Sequence, residues 1–415
     1  MSRFDDHDCP NDNPDDGPAC EEGEGDGARN DQRRGFLKVG LAVGAAAGLA
    51  ACQKPPPKKG QGAKKGQGAS PPTGDMASAR PKAGGPAREA PGARKALPGR
   101  PAPRPAATKR SRVVQVVNSK AYDAKGRPDA KPVKAMVDRA VMELTRKKTP
   151  KEAWSSLFRP TEKVGLKPNC LGRHLCWPHV ATVDAIIEGL VLAGVDHANM
   201  YMWDMWGFNA SPLSRRYRNS KMKVKNVKAW GYSRRKLKIA SGPPVQLTKP
   251  LLAVDAIVNI PVIKDHDLTG ITCSIKNMAL GSVPKPAIYH ANRKGRRMCD
   301  PMVPEIYALP PIKDKARLIL ADAFNIIIDG GPKGNARGLR RLHSVFAASD
   351  PVAMDKVAWQ IVDAQREKAN LPKLMDKPVA KTRPQGRPLY ILTAEKLGLG
   401  TADPKRIDHV IKTLG

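Results

Sequence analysis

The chain has 415 residues, with 72 Lys and Arg against 39 Asp and Glu and a formal net charge of +33. That length is ample for a buried core, and seven cysteines are too few to make a disulfide framework of a chain this size. The charge favours anionic partners such as phospholipid headgroups, polyanionic envelope polymers or nucleic acid, although Lys and Arg on solvated faces explain the same excess without a partner.

Residues 1–30 are acidic and rich in Asp, Gly, Asn and Pro, a composition too polar to bury a core, which predicts disorder. Arg33-Arg34-Gly35-Phe36-Leu37-Lys38 then has the form of a twin-arginine export signal, with Gln32 where Ser or Thr is more usual. Val39 to Ala51 is too short to span a hydrocarbon core as a helix and reads as a signal h-region. Leu49-Ala50-Ala51-Cys52 fits a lipobox, in which Cys52 is lipidated and becomes the new N-terminus. These features predict an exported bacterial lipoprotein, delivered by the twin-arginine machinery and held at the membrane, facing the periplasm, through lipidated Cys52. Gln53, standing where Asp would favour inner-membrane retention, points to the outer membrane.

Residues 1–52 are therefore read as acidic leader plus signal. Residues 53–112 are Pro, Gly, Ala and Lys/Arg, with near-repeats at Lys58 to Ala63 and Lys64 to Ala69, and read as a disordered, flexible basic tether. A polyanion-binding arm is the alternative; the segment has no aromatic residue to stack on bases, which argues against nucleic acid.

Residues 113–415 are predicted to form the folded domain. A strand at Val113 to Asn118 precedes an amphipathic helix over Pro132 to Leu144, with Val133, Met136, Val137, Ala140, Val141 and Leu144 on one face. A strand at Lys163 to Leu166 leads to a helix over Pro178 to Ala193 ended by Gly194, then a strand at Asn199 to Trp203 runs into Asp204. The basic stretch Ser211 to Leu247 reads as an exposed insertion or cap. Val254 to Ile260 is a strand stopped by Pro261, and Ile271, Ile275, Met278 and Ala279 recur at helical spacing, so a helix is predicted from Thr269, with Thr269 as its N-cap. Arg317 to Ala321 is a strand before Asp322, and Val352 to Val362 a late helix. The repeated strand-then-helix order predicts an α/β fold with a mostly parallel sheet in a three-layer α/β/α arrangement.

Polar residues collect where the predicted strands end, positions that share a crevice in an open α/β sheet. Lys167 and Lys264 are candidate point charges for a carboxylate or phosphate, as is Lys276 in the following helix, while Asn169 and Asn277 would orient a polar ligand. His266 is the candidate general acid/base, with Asp204 or Asp322 to orient its imidazole or bind a divalent cation. Each residue alone is explained as well by a strand-end hydrogen bond or a surface ion pair; their convergence is what points to a site. His290, in Tyr289-His290-Ala291-Asn292, is a second candidate ligand or acid/base. Cys170, His174, Cys176 and His179 are types that ligate zinc or another soft metal at a spacing unlike a standard finger; buried thiols, a Cys170–Cys176 disulfide and helix-capping histidines are the alternatives. Cys273 reads as a small core residue. The cysteine spacing contains no ferredoxin-type cluster motif, so a divalent or soft metal is the cofactor class these residues suit.

The stretch Val258 to Val283, VNIPVIKDH-D-LTGIT-C-SIKNMALGSV, resembles the core signature of domain-of-unknown-function family 362. Further family-like pieces follow the expected order: Val164 to Asn169, Asp204, Ala321 to Phe324, Gly330 to Pro332 and Ala348 to Asp355. Two stretches depart from it: Lys264-Asp265-His266 stands where Lys-Thr-His is commoner, and Trp203 to Gly207 replaces a GDSPG-like turn. The resemblance spans roughly Arg112 to the C-terminus and implies a fold more firmly than a reaction. The family's distant similarity to nickel-pincer lactate racemases implies His-mediated proton transfer beside a carboxylate. The reading is an exported, lipid-anchored α/β protein with an enzyme-like site for an anionic ligand, metal- or redox-assisted. Its alternative is a non-catalytic lipoprotein that binds an anionic solute or the envelope; no nucleic-acid module is recognisable.

Overall fold

The computed structural model describes residues 110–172, 175–290, 299–377 and 386–415. Arg33, Arg34, Cys52, the leader, nearly all of the tether and His174 lie outside the described residues. The strands are β1 (Ser111–Val117), β2 (Val164–Pro168), β3 (Met200–Met202), β4 (Lys223–Val224), β5 (Tyr232–Leu237), β6 (Val245–Thr248), β7 (Ala256–Ile260), β8 (Val262–His266), β9 (Gly270–Thr272), β10 (Ala316–Ile327), β11 (Leu339–Ala348) and β12 (Ile407–Thr413). The longer helices are α1 (Ala130–Thr145), α2 (Pro150–Leu157) and α3 (Val180–Leu192), followed by the short α4 (Pro212–Tyr217), α5 (Val227–Trp230) and α6 (Lys249–Ala253). Then come α7 (Ser274–Leu280), α8 (Ala287–His290), α9 (Met302–Tyr307), α10 (Pro310–Lys313), α11 (Pro351–Lys368) and α12 (Leu389–Lys396).

The main sheet runs β12-β1-β11-β10-β7-β2-β3-β4, with β8 joined beside β10 and β9 paired to β8. Neighbours are parallel except that β11 is antiparallel to β1 and β10, and β9 to β8. The mostly parallel, three-layer reading is therefore correct. Side-chain alternation divides the core into two. Val114, Val116, Leu166 and Val258 pack under α1, α2 and α3, whereas Val113, Ile257, Ile319 and Ala321 pack against α7, α9, α11 and α12.

Local chemistry sets the helix ends. Thr149 and Glu152 exchange side-chain and backbone hydrogen bonds in a capping box, and Pro150 opens α2 where its missing N–H costs nothing. Asp350 caps α11 by accepting the Val352 and Ala353 amides at 2.8 and 2.9 Å. Its other oxygen takes the Ser111 hydroxyl at 2.5 Å and the Thr401 amide at 3.0 Å, tying β1 and the C-terminal segment to the same helix end. Trp154 of α2 is fully buried, and a Cβ at Gly189 of α3 would overlap its ring, so the glycine sets how closely these helices approach.

Three expectations need correction. Pro261 does not end the extended chain: β8 continues past it beside β10, with Val262 opposite Asp322 and Lys264 opposite Ile327. The helix starts at Ser274 with Cys273 as N-cap, because Gly270–Thr272 is drawn into an antiparallel pairing with Lys264–His266, and Thr269 donates its hydroxyl to the Ile271 carbonyl. The stretch Ser211 to Leu247 is only partly a cap: Arg234, Arg235 and Lys236 are exposed, but β4 extends the main sheet and Val227, Val245 and Leu247 are in the core. Among the described residues no helix is long and apolar enough to cross a membrane.

Replacing Trp154 by Ala should cost about 3–5 kcal/mol in urea unfolding, whereas the partly exposed Leu192→Ala should stay within about 0.5 kcal/mol. Equal effects would contradict the packing described.

Candidate functional site

Lys167 lies at the end of β2 and turns toward α7. Its ammonium donates to Asp204 Oδ1 at 2.6 Å, Asn277 Oδ1 at 3.0 Å and the Pro168 carbonyl at 2.9 Å. Gly281, just past α7, leaves the space this side chain occupies: a Cβ there would sit 2.5 Å from Lys167 Cε. The second oxygen of Asp204 accepts the Cys170 amide at 2.6 Å. Asn277 donates to the Lys167 carbonyl at 3.0 Å and to Asn259 Oδ1 at 2.8 Å, and Asn259 donates onward to Ser274. This buried network satisfies its charges internally.

Lys264 and Lys276 do not share in that balance. Lys264, fully buried in β8, donates to Asn169 Oδ1 at 2.8 Å and to the Leu171 carbonyl, both neutral acceptors, and forms no ion pair. Lys276 of α7 is 6% exposed and makes no hydrogen bond or ion pair with any described residue. Burial, the larger cause, pushes both amines down to about 8; Lys167 adds to the effect at Lys264, and Lys264 at Lys276. Asp204 acts against this shift at Lys264 and Asp267 at Lys276, and burial outweighs both.

Lys276 lines a small recess, with about 40 Å³ of free space, together with Asn169, Asp204, Thr272 and His290, with Trp206, 44% exposed, at the same site. Thr272 Oγ1 is buried there without a hydrogen-bond partner. His290 Nδ1 lies 2.9 Å from the Pro286 carbonyl, which can only accept, so Nδ1 carries the hydrogen and Nε2 is the free base. Burial and Lys276 push this ring down to about 3. His266 stacks on His290 with centroids 5.6 Å apart. Burial and Lys276 also hold His266 well below its usual value. A neutral ring with its hydrogen on Nε2 accepts the Leu268 amide at Nδ1, 3.0 Å away; Asp267, 3.1 Å from the same nitrogen, accepts from it when Nδ1 carries the hydrogen. His290, rather than His266, therefore lines the recess.

Asp322 stands inside β10, not beyond its end, and faces α3. It accepts the His179 amide at 2.7 Å, His179 Nδ1 at 3.0 Å and the Thr182 hydroxyl at 2.7 Å. Burial opposes its charge, but these partners outweigh burial and hold the carboxyl low, while Asp322 raises His179 against the same burial cost. Asp265 points away from the recess, pairing with Lys377 and the Gly331 amide, as strand alternation between Lys264 and His266 requires. Cys170 and Cys176 are buried free thiols, raised by burial, Cys176 to about 12. With His179 on Asp322, Cys170, Cys176 and His179 do not gather as one ligand set. Among the described residues no group of three or more His, Cys, Asp or Glu could hold a metal ion.

The structure thus lines one recess with Asn169, Asp204, Lys276 and Asn277, sets Lys167 and Lys264 behind it through hydrogen bonds to those residues, stacks His266 on His290, and assigns Asp322 to another cluster. Sequence reasoning missed Thr272, which it placed inside a helix; the alternation Gly270-Ile271-Thr272 was the available strand signal.

Residues 164–360 match the family described as a domain of unknown function, DUF362. That range is narrower than the resemblance read from the sequence, and it holds all the motif pieces quoted above. The solved structure of the lactate racemase apoprotein from Thermoanaerobacterium thermosaccharolyticum is similar over 58% of this chain and 55% of that chain, with 13% identity and a TM-score of 0.37. The aligned part spans about half the length of that protein. No curated protein matches the chain.

Lys264 and Lys276 titrate from about 8 in the folded protein and near 10.5 when unfolded. The unfolded chain binds more protons between those values, so their contribution to stability rises with pH from about 8 toward 10.5 and is flat below it. Lys276→Met should flatten this rise without loss of stability at neutral pH. Lys167→Met, which strands a buried carboxylate, should cost about 3–5 kcal/mol. Denaturant titrations across this pH range check both.

Proposed function

We propose that this chain, whose residues 164–360 match DUF362, is an exported, lipid-anchored protein whose α/β domain binds a small carboxylate- or phosphate-bearing ligand. One observation carries the ligand class: the buried amines of Lys264 and Lys276 form no ion pair with any described residue, Lys276 lines the recess, and Asp204, the carboxylate in its lining, is already engaged by Lys167 and the Cys170 amide. A buried cation without a counter-charge is costly, and an incoming anion removes that cost. Asn169, its oxygen committed to Lys264, and Thr272 add neutral hydrogen-bonding groups to the recess. Export and anchoring rest on Arg33-Arg34 and on Leu49 to Cys52.

His290 favours catalysis over storage. Its unprotonated Nε2, on a ring in the same recess, becomes a better proton acceptor once a bound anion offsets Lys276, whose charge adds to the larger effect of burial in holding the ring low, and stacked His266 holds the ring plane. A non-catalytic solute binder would use the same lysines and leave His290 without a role.

In thermal-shift titration, acetate, oxalate or phosphate should raise the melting temperature of the wild type, and Lys276→Met should abolish the shift. No shift with any of them contradicts an anion site. Separately, Arg33→Lys with Arg34→Lys should leave the precursor in the cytoplasm, and Cys52→Ala should release the exported protein from the membrane fraction; unchanged fractionation of both contradicts the proposed route.

A further inference from the structure

Taking the anion-site reading as its basis, we infer that the Lys276 amine is a carbonyl-reactive nucleophile and that the recess accepts small 2-oxo acids, holding them as an imine. The different settings of the two lysines support this. Lys264 is pinned by Asn169 Oδ1 and the Leu171 carbonyl, acceptors that favour the ammonium form. Lys276 has no acceptor among the described residues, so no hydrogen bond is lost when it gives up a proton. A fixed cation near a desolvated amine is an arrangement that frees a lysine to act as a nucleophile close to neutral pH.

The other titratable groups acting on Lys276 leave that assignment intact. His266 and His290 are neutral, and Cys299 is a buried thiol raised to about 12. Asp267, its side chain 36% exposed, is the opposing charge. The substrate class follows from the recess. A 2-oxo acid brings a carboxylate to offset the Lys264 charge and, on the next carbon, a carbonyl for Lys276; Asn169 and Thr272 are neutral partners for its oxygens.

In the step, the Lys276 lone pair forms a bond to the carbonyl carbon and the C–O π bond breaks onto oxygen. His290 Nε2 relays a proton from the nitrogen to that oxygen, giving a carbinolamine, and then relays the second, so that the oxygen departs as water as the C=N bond forms. Both hydrogens of the water come from the amine, and no electrons leave the system.

The test is borohydride trapping of the full-length protein with pyruvate, read by intact mass and peptide mapping. The expected result is a single adduct equal in mass to pyruvate less one oxygen, located on Lys276 and absent from Lys276→Arg. The yield in wild type should climb as pH rises through the Lys276 titration, and Lys264→Met, where its circular dichroism matches wild type, should move that midpoint upward. No adduct, while acetate or phosphate still raises the melting temperature, would remove the imine and leave the anion site. Adducts spread over surface lysines and unaffected by Lys276→Arg would overturn the assignment equally. Neither adduct nor anion shift would remove both readings.

Discussion

Asp204 is the carboxylate in the lining of the recess, and both of its oxygens are already engaged, one by Lys167 at 2.6 Å and the other by the Cys170 amide at the same distance. Lys264 and Lys276 are left without an ion pair in a region that excludes most water. Desolvation of a charge is among the largest penalties a fold can carry, and proteins tolerate it mainly where function requires it. The neutral state of His266 and His290, the low amine values and the fit of an anion all follow from that shortage of negative charge.

The fold imposes the shortage by bringing four distant segments together. β2 delivers Lys167 and Asn169, the end of β3 delivers Asp204, β8 delivers Lys264, and α7 delivers Lys276 and Asn277. The start of α7 is fixed from outside the site. Asp355 of α11 accepts the Ser274 and Ile275 amides at 2.6 and 3.1 Å and the Tyr390 hydroxyl at 3.2 Å, although burial pushes its carboxyl up to about 7. The Ala348 to Asp355 motif is thus structural at both acidic positions: Asp350 gathers β1, α11 and the C-terminal segment, and Asp355 sets the helix that carries Lys276.

Much of this was legible in the sequence. The apolar spacing of Val133 to Val141 read directly as a helix, because local periodicity acts within a few residues. The alternation of strand and helix sufficed for a mostly parallel, three-layer sheet. Two features were out of reach. Gly270–Thr272 pairs with Lys264–His266 instead of starting the helix, a tertiary pairing that overrides the helical spacing of Ile271 and Ile275. Asp322 follows an apolar run, yet β10 continues through it to Ile327, so alternation sends its carboxylate to α3 and His179. Residue types singled out the lysines and asparagines; which of them were paired and which were not depended on distances that spacing does not encode.

The uncompensated charge of Lys264 and Lys276 can be read directly by NMR titration of carbon-13-labelled lysine side chains, assigned by single Lys→Arg variants. The account predicts two resonances titrating near 8, well below the ordinary lysine value, with both moving upward when the site is saturated with a small carboxylate. Two lysines titrating at the ordinary value, or low values indifferent to every anion, would contradict it.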